Sequence, residues 1–128
     1  MSATYAMYQE QILDHYKNPR NKGTLRDATL RARESNPLCG DEIALYLVVD
    51  GKDRISDVRF DGEGCAISQA SASMLTEMIK GKTLAQARAV REEDILKAVG
   101  VPLSAVRTKC AILSLHVLGL ALTSPKES

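Results

Sequence analysis

Hydrophobic periodicity switches from strand-like to helical at Asp61-Gly62-Glu63-Gly64. Over residues 30 to 60, before that turn, apolar residues come in short β-branched runs. Ile43-Ala44-Leu45-Tyr46-Leu47-Val48-Val49 reads as one strand. Ile55, Val58 and Phe60 carry another, with clear alternation from Val58 to Asp61. Asp50-Gly51 between them is a hairpin signal, lengthened by Lys52 and Asp53. Residues 30 to 35 fit a modest first strand. Downstream, Ile67, Ala70, Met74, Leu75, Met78 and Ile79 follow helical spacing, and Gly81 is expected to cap that helix. Short helices are expected at Leu84 to Val90 and at Glu92 to Val99. The second has Glu92, Glu93 and Asp94 in its first turn, where negative charge suits the helix dipole. Gly100 ends it, and Pro102 is expected to open a last helix striped by Val106, Cys110, Leu113, Val117 and Leu120. Near the N-terminus, Tyr5, Tyr8, Ile12 and Tyr16 predict a helix over residues 4 to 17. Asn18-Pro19 stops it, because proline disfavours helical geometry at the residue before it. The expected class is α+β, a small antiparallel sheet of about three strands packed against several helices.

At 128 residues the chain is expected to form one domain, 1–128, with a core that needs no covalent staples. Lys and Arg total 17 against 16 Asp and Glu, with one Phe and no Trp. That lacks the basic excess or stacking residues of a dedicated nucleic-acid binder, so no nucleic-acid partner is expected. The longest apolar run, Ala111 to Leu122, contains Ser114 and His116 and falls short of the about 20 residues of a membrane span. Met1-Ser2-Ala3-Thr4-Tyr5 shows no basic head before an apolar stretch, so no secretory signal is expected. Three cysteines are an odd number, which suggests a cytoplasmic protein with reduced or metal-bound thiols and no disulfide framework.

The cysteines and their surroundings carry the chemistry. Cys39 lies in the turn Asn36-Pro37-Leu38-Cys39-Gly40-Asp41, Cys65 in a glycine turn before a helix, and Cys110 on the stripe of the last helix. They are too far apart for zinc-finger pairing, in which ligands come about two to four residues apart. Their local environments count for more. Unpaired N–H groups and partial positive charge at a helix N-terminus suit a thiolate. Gly62 and Gly64 let the backbone approach a bulky group closely, and Gly40 frees a turn that can aim Cys39 and Asp41 at one site. A buried cysteine is otherwise an ordinary small hydrophobe, the simpler reading for Cys110. Lys109 is either a solvated helix lysine or a cation beside a thiolate. His15 and His116 have no partner at i+3 or i+4 that would make a metal pair, and are expected to be capped or to face the surface. Lys17, Arg20, Lys22 and Arg26 form a solvated turn or a face for an acidic partner protein.

Three longer motifs point to a family. Ile12-Leu13-Asp14-His15-Tyr16-Lys17-Asn18-Pro19-Arg20-Asn21-Lys22-Gly23 resembles the opening of the IscU/NifU-like iron–sulfur cluster scaffold family. Asn36-Pro37-Leu38-Cys39-Gly40-Asp41 is similar to that family's first-ligand motif. Phe60-Asp61-Gly62-Glu63-Gly64-Cys65-Ala66-Ile67-Ser68-Gln69-Ala70-Ser71-Ala72-Ser73-Met74 is similar to its second, and Lys109-Cys110-Ala111-Ile112-Leu113 sits where the third cysteine belongs. The resemblance implies a scaffold on which a transient [2Fe–2S] cluster is built and then handed to apo-acceptor proteins. It implies Cys39, Asp41, Cys65 and Cys110 as ligands of cluster or zinc, with Lys109, Gly40 and Gly64 around them. It also implies a cysteine desulfurase as sulfur source and an iron donor.

Three soft sulfurs and one hard oxygen would hold a cluster less firmly than the usual four thiolates, and the same set suits tetrahedral zinc. Lys109 stands where many IscU-type scaffolds have histidine, which resembles the zinc-binding SufU branch. The chain nevertheless lacks that branch's insertion between Cys65 and Cys110. The IscU chaperone-recognition stretch Leu-Pro-Pro-Val-Lys is replaced by Leu103-Ser104-Ala105-Val106-Arg107. Losing both prolines argues against dependence on an Hsp70-type chaperone. The leading expectation is thus a scaffold without enzymatic turnover. The alternative is a zinc-dependent persulfide sulfurtransferase working with a cysteine desulfurase. A purely structural zinc module is a third reading. A Cys–His hydrolase is set aside, since no motif places a histidine beside a cysteine. The apolar last helix leaves open a homodimer with a cluster shared between subunits.

Overall fold

Three strands, β1 (Leu30–Asn36), β2 (Asp41–Val49) and β3 (Ile55–Glu63), pair antiparallel in the order β1-β2-β3. The computed structural model describes residues 3–37 and 40–123, with side chains from residue 9 onward. Alternation decides which side of the sheet is covered. Ile43, Leu45 and Leu47 of β2 are fully buried, as are Val58 and Phe60 of β3. The other side carries Arg31, Tyr46 and Arg59 in register, with the Arg31 guanidinium 5.9 Å from the centre of the Tyr46 ring. The β2–β3 turn is built on Asp50, whose Oδ1 accepts the N–H groups of Lys52 at 2.8 Å and Arg54 at 3.0 Å. Those bonds, Arg54 first, hold the Asp50 carboxyl below its ordinary range.

Five helices complete the fold: α1 (Ala3–Lys17), α2 (Ala66–Ile79), α3 (Leu84–Arg88), α4 (Glu92–Val99) and α5 (Ala105–Thr123). The α5 helix packs on β1 and β2, α2 packs on β3, and the two helices pack on each other. They close a core of Phe60, Leu45, Ile55, Leu75, Ile79 and Leu118. The loop after α1 runs beside the outer edge of β3. Gly23 N–H donates to the Phe60 carbonyl at 2.8 Å, and Phe60 N–H to that of Asn21 at 2.9 Å. The α+β class and the three-stranded antiparallel sheet agree with the sequence expectation.

Several boundaries differ from that expectation, each for a physical reason. The β3 strand continues through Gly62 to Glu63, pairing Gly62 with Ile43 and Glu63 with Glu42. A Cβ at Gly62 would run into the Glu42 carbonyl, so this glycine lets the strands close and does not break them. Asp41, expected in a turn, opens β2. The cap of α2 is Lys80, in extended geometry, and Gly81 follows it at φ +82. The last helix opens at Ala105, not at Pro102, because Ser104 serves its first turn. The Ser104 hydroxyl accepts the Arg107 N–H at 3.2 Å and its carbonyl the Thr108 N–H at 2.8 Å. The buried face of α5 is wider than the expected stripe. It holds Cys110, Ala111, Leu113, Ser114, Val117, Leu118 and Ala121, while Val106 and Leu120 are exposed. By length and composition alone the 19-residue α5 could cross a membrane. Here its buried face packs on the sheet, α2 and α4.

His15, expected to be capped or surface-facing, is instead 4% exposed and clamps α1 to α2. Its Nδ1 lies 2.7 Å from Ser73 Oγ, which also accepts the Arg20 N–H at 2.8 Å. Its Nε2 lies 3.5 Å from Glu77 Oε1. Burial, then the Arg20 charge, lowers the His15 pKa below 6.5, against the smaller opposing pull of Glu77 and Asp14. The unfolded chain therefore binds the extra proton more readily. Stability is expected at full value above pH 6.5 and to fall as pH drops through the folded pKa. Urea unfolding across pH 5 to 8 checks this. His15→Gln should flatten that decline, and an unchanged slope in the variant would count against the clamp. His116 is exposed, 4.0 Å from Glu34 Oε2.

Candidate metal centre

Three elements from distant parts of the chain bring chemically active side chains together. Asp41 is the first residue of β2, set opposite Asn36 on β1. Cys65 is the N-cap of α2, with φ −71 and ψ 165, and its side chain makes no capping bond. Cys110 lies on the buried face of α5. A carboxylate oxygen of Asp41 and the sulfurs of Cys65 and Cys110 all lie within 4.8 Å of one another. Cys39 and its neighbour Leu38 lie outside the described residues.

Asp41 organises the group. It is 1% exposed, and its Oδ1 accepts the Cys65 N–H at 2.9 Å. The bond ties the start of β2 to the start of α2 and satisfies one of the helix's unpaired donors. Its Oδ2 is buried with no hydrogen-bond partner among the described residues. A buried polar atom without a partner is unfavourable, and a buried charge more so. An oxygen and two sulfurs facing one small volume are a donor set for a borderline or soft cation. The unpartnered oxygen fits such an ion, which would neutralise the buried charge.

Gly64 makes the arrangement sterically feasible. It sits at φ +151, and a Cβ there would collide with Asp41 Oδ1 and lie 2.7 Å from Ser68 Oγ. The expectation that Gly64 permits a close approach therefore has a definite partner, the Asp41 carboxylate. Gly40 takes φ +68, with none of the described residues near the position of a Cβ. Lys109 is exposed and lines a cleft with Asn36, Pro37, Ile112 and His116.

Residues passed over in the sequence support Cys65. The Ser68 hydroxyl donates to the Cys65 carbonyl at 3.0 Å, and the Gln69 N–H donates to the same carbonyl at 3.2 Å. Their signal was spacing, since residues three and four after an N-cap face its carbonyl. Of the basic group before β1, Arg20 pairs with Asp14, at 2.5 Å, and the exposed Lys22 reaches across to the Gly62 carbonyl. The Arg20 bond, then that of Asn18, lowers the Asp14 pKa.

Comparison with known proteins identifies relatives of this chain. The model of the family described as "NifU-like N terminal domain" matches residues 7–127. The zinc-dependent sulfurtransferase SufU of Bacillus subtilis is 42% identical over 88% of this chain and 86% of its own length. The iron–sulfur cluster assembly scaffold protein IscU 1 of Archaeoglobus fulgidus is 40% identical over 73% of this chain, which spans 61% of that relative's length. A crystal structure described as an iron–sulfur cluster assembly scaffold for the SUF system of Fervidobacterium islandicum AW-1 superposes with TM-score 0.75 at 34% identity, covering 94% of this chain and 100% of that one. As the motifs around Cys39, Cys65 and Cys110 implied, the chain belongs to the NifU-like N-terminal domain family.

Proposed function

We propose that this chain is a scaffold on which a [2Fe–2S] cluster is assembled and from which it passes to acceptor proteins. Its 128 residues act as one domain, with Cys39, Asp41, Cys65 and Cys110 as the ligand set. The observation that carries this reading is Asp41. Its buried oxygen has no described partner, and it shares a small volume with two thiols from other elements. Three sulfurs and one oxygen bind iron–sulfur cargo, yet the hard oxygen leaves it more exchangeable than four thiolates would. A scaffold needs that balance. The partners are a cysteine desulfurase, an iron source and apo-acceptors, and the compartment is the cytoplasm.

A specific observation favours a second reading. The relative that is 42% identical is named a zinc-dependent sulfurtransferase, and the donor set also suits tetrahedral zinc. On that reading the chain accepts persulfide sulfur from the desulfurase, and the site is catalytic.

Anaerobic reconstitution with iron, cysteine and a desulfurase separates the two. The scaffold reading expects bound iron, acid-labile sulfide, and a visible-absorbing cluster that moves to an apo-ferredoxin. Zinc alone, with desulfurase turnover raised by adding the protein, makes it a sulfurtransferase. Neither result would reduce the site to structural zinc.

A further inference from the structure

Lys22 lies beside the glycine turn that leads to Cys65. Its ammonium lies 3.2 Å from the Gly62 carbonyl and 3.2 Å from Gln69 Oε1. It lies 3.9 Å from Asp61 Oδ1 and 5.0 Å from the centre of the Phe60 ring. A long surface lysine ordinarily keeps its head in water, because holding it in one geometry costs side-chain entropy. Here the side chain remains 37% exposed, yet its head meets two neutral carbonyl oxygens, a carboxylate and an aromatic face, all on β3 or α2. The backbone of the same residue is anchored too, since Lys22 forms a parallel bridge with Phe60.

Both carbonyl contacts lead to Cys65. Gly62 opens the three-residue path Gly62-Glu63-Gly64 into that cysteine. Gln69 is buried, and its amide nitrogen donates to Ser68 Oγ at 3.4 Å. Ser68 in turn donates to the Cys65 carbonyl at 3.0 Å. The turn is therefore held from one side by the Asp41 carboxylate and from the other by the Lys22 ammonium. A ligand's geometry depends on such outer contacts, whose loss typically weakens metal affinity about 10–100-fold.

We propose that Lys22 is a positioning residue for the metal centre. Its ammonium braces the Gly62 carbonyl against the Gln69 amide and so sets the direction in which the glycine turn presents Cys65. The inference rests on the reading of Asp41, Cys65 and Cys110 as metal ligands.

The test uses the full chain, reduced and metal-free, titrated anaerobically with Co(II) and with Zn(II) against a chromophoric chelator. Lys22→Met keeps the apolar stem over Phe60 and removes the charge. It should weaken zinc binding about 10-fold or more and shift the visible bands of the cobalt form. Lys22→Arg should restore both, since a cation in the same place can bridge the same oxygens. Gln69→Leu should reproduce the methionine variant. The double variant should be no worse than the poorer single one, because both remove one brace.

Wild-type affinity and spectrum in Lys22→Met would overturn the proposal. So would equal losses in the methionine and arginine variants. A lowered melting temperature of the metal-free protein with the cobalt spectrum unchanged would assign Lys22 to the fold alone and overturn it as well. Wild-type protein that takes up neither cobalt nor zinc would sink the metal-centre reading itself, and the inference with it.

Discussion

Gly64→Ala is expected to lose about 3 kcal/mol of stability and, with it, the protein's response to zinc. Two effects add at this position. The backbone sits at φ +151, a region that side chains with a Cβ rarely adopt, which costs about 1–3 kcal/mol. The new methyl also has nowhere to go. It would collide with Asp41 Oδ1 and lie 2.9 Å from Asp41 Cγ, on a short side chain that is buried and held by the Cys65 N–H. Either Asp41 moves, breaking its 2.9 Å bond from the Cys65 N–H, or the turn moves and carries Cys65 with it. Both routes separate the oxygen from the sulfurs. Gly81→Ala is the control. It too has positive φ, at +82, but open space around the Cβ position. It should cost about 1 kcal/mol and leave zinc stabilisation intact. Urea unfolding with and without zinc reads both quantities. Equal losses in the two variants, with equal zinc response, would mean that Gly64 matters only for its backbone.

How legible the site was from the sequence follows from the range of each interaction. Cys65 as the cap of a helix could be read directly, because a glycine turn followed by helical spacing is a local signal. The strands could be read for the same reason. What escaped were partners far along the chain. His15 looked like a capped or surface residue, because its partner Ser73 belongs to another helix and nothing near residue 15 announces it. Lys22 is exposed, as expected of a solvated turn, but its contacts with Gly62 and Gln69 could not be read, because those residues are brought to it only once β3 and α2 have formed. The glycines at 62 and 64 were ambiguous locally. A glycine signals a break in isolation, but Gly62 sits inside a ladder whose partner strand demands the space of its missing Cβ. The face of α5 drifted for a related reason. Spacing marks a stripe, while the breadth of the burying surface, here β1, β2, α2 and α4, decides how wide that stripe becomes. The meeting of Cys110 with Asp41 and Cys65 was least legible, since a cysteine on an apolar stripe looks like any small core residue.

Asp41→Asn should move stability in opposite directions with and without metal. In the metal-free protein the carboxylate is 1% exposed, with one oxygen bonded to the Cys65 N–H and the other to none of the described groups. Holding a charge out of water with one hydrogen bond opposes folding. Asparagine keeps the shape and a carbonyl oxygen to accept the Cys65 N–H, but removes the charge. The metal-free variant should therefore be more stable than wild type, by about 1 kcal/mol. Zinc reverses the order. A ligand that binds only the folded state stabilises it by RT ln(1 + [L]/Kd), about 4 kcal/mol at a thousand-fold excess over Kd. Wild type should gain that amount. The variant should gain much less, because a neutral amide oxygen is a poor substitute for a carboxylate in the ligand set. Thermal or urea unfolding across a zinc titration should show the two proteins crossing. A variant less stable without zinc, yet equally stabilised by it, would make Asp41 an ordinary structural residue. Crossing curves would instead mean that its unfavourable burial persists because the loaded state requires it.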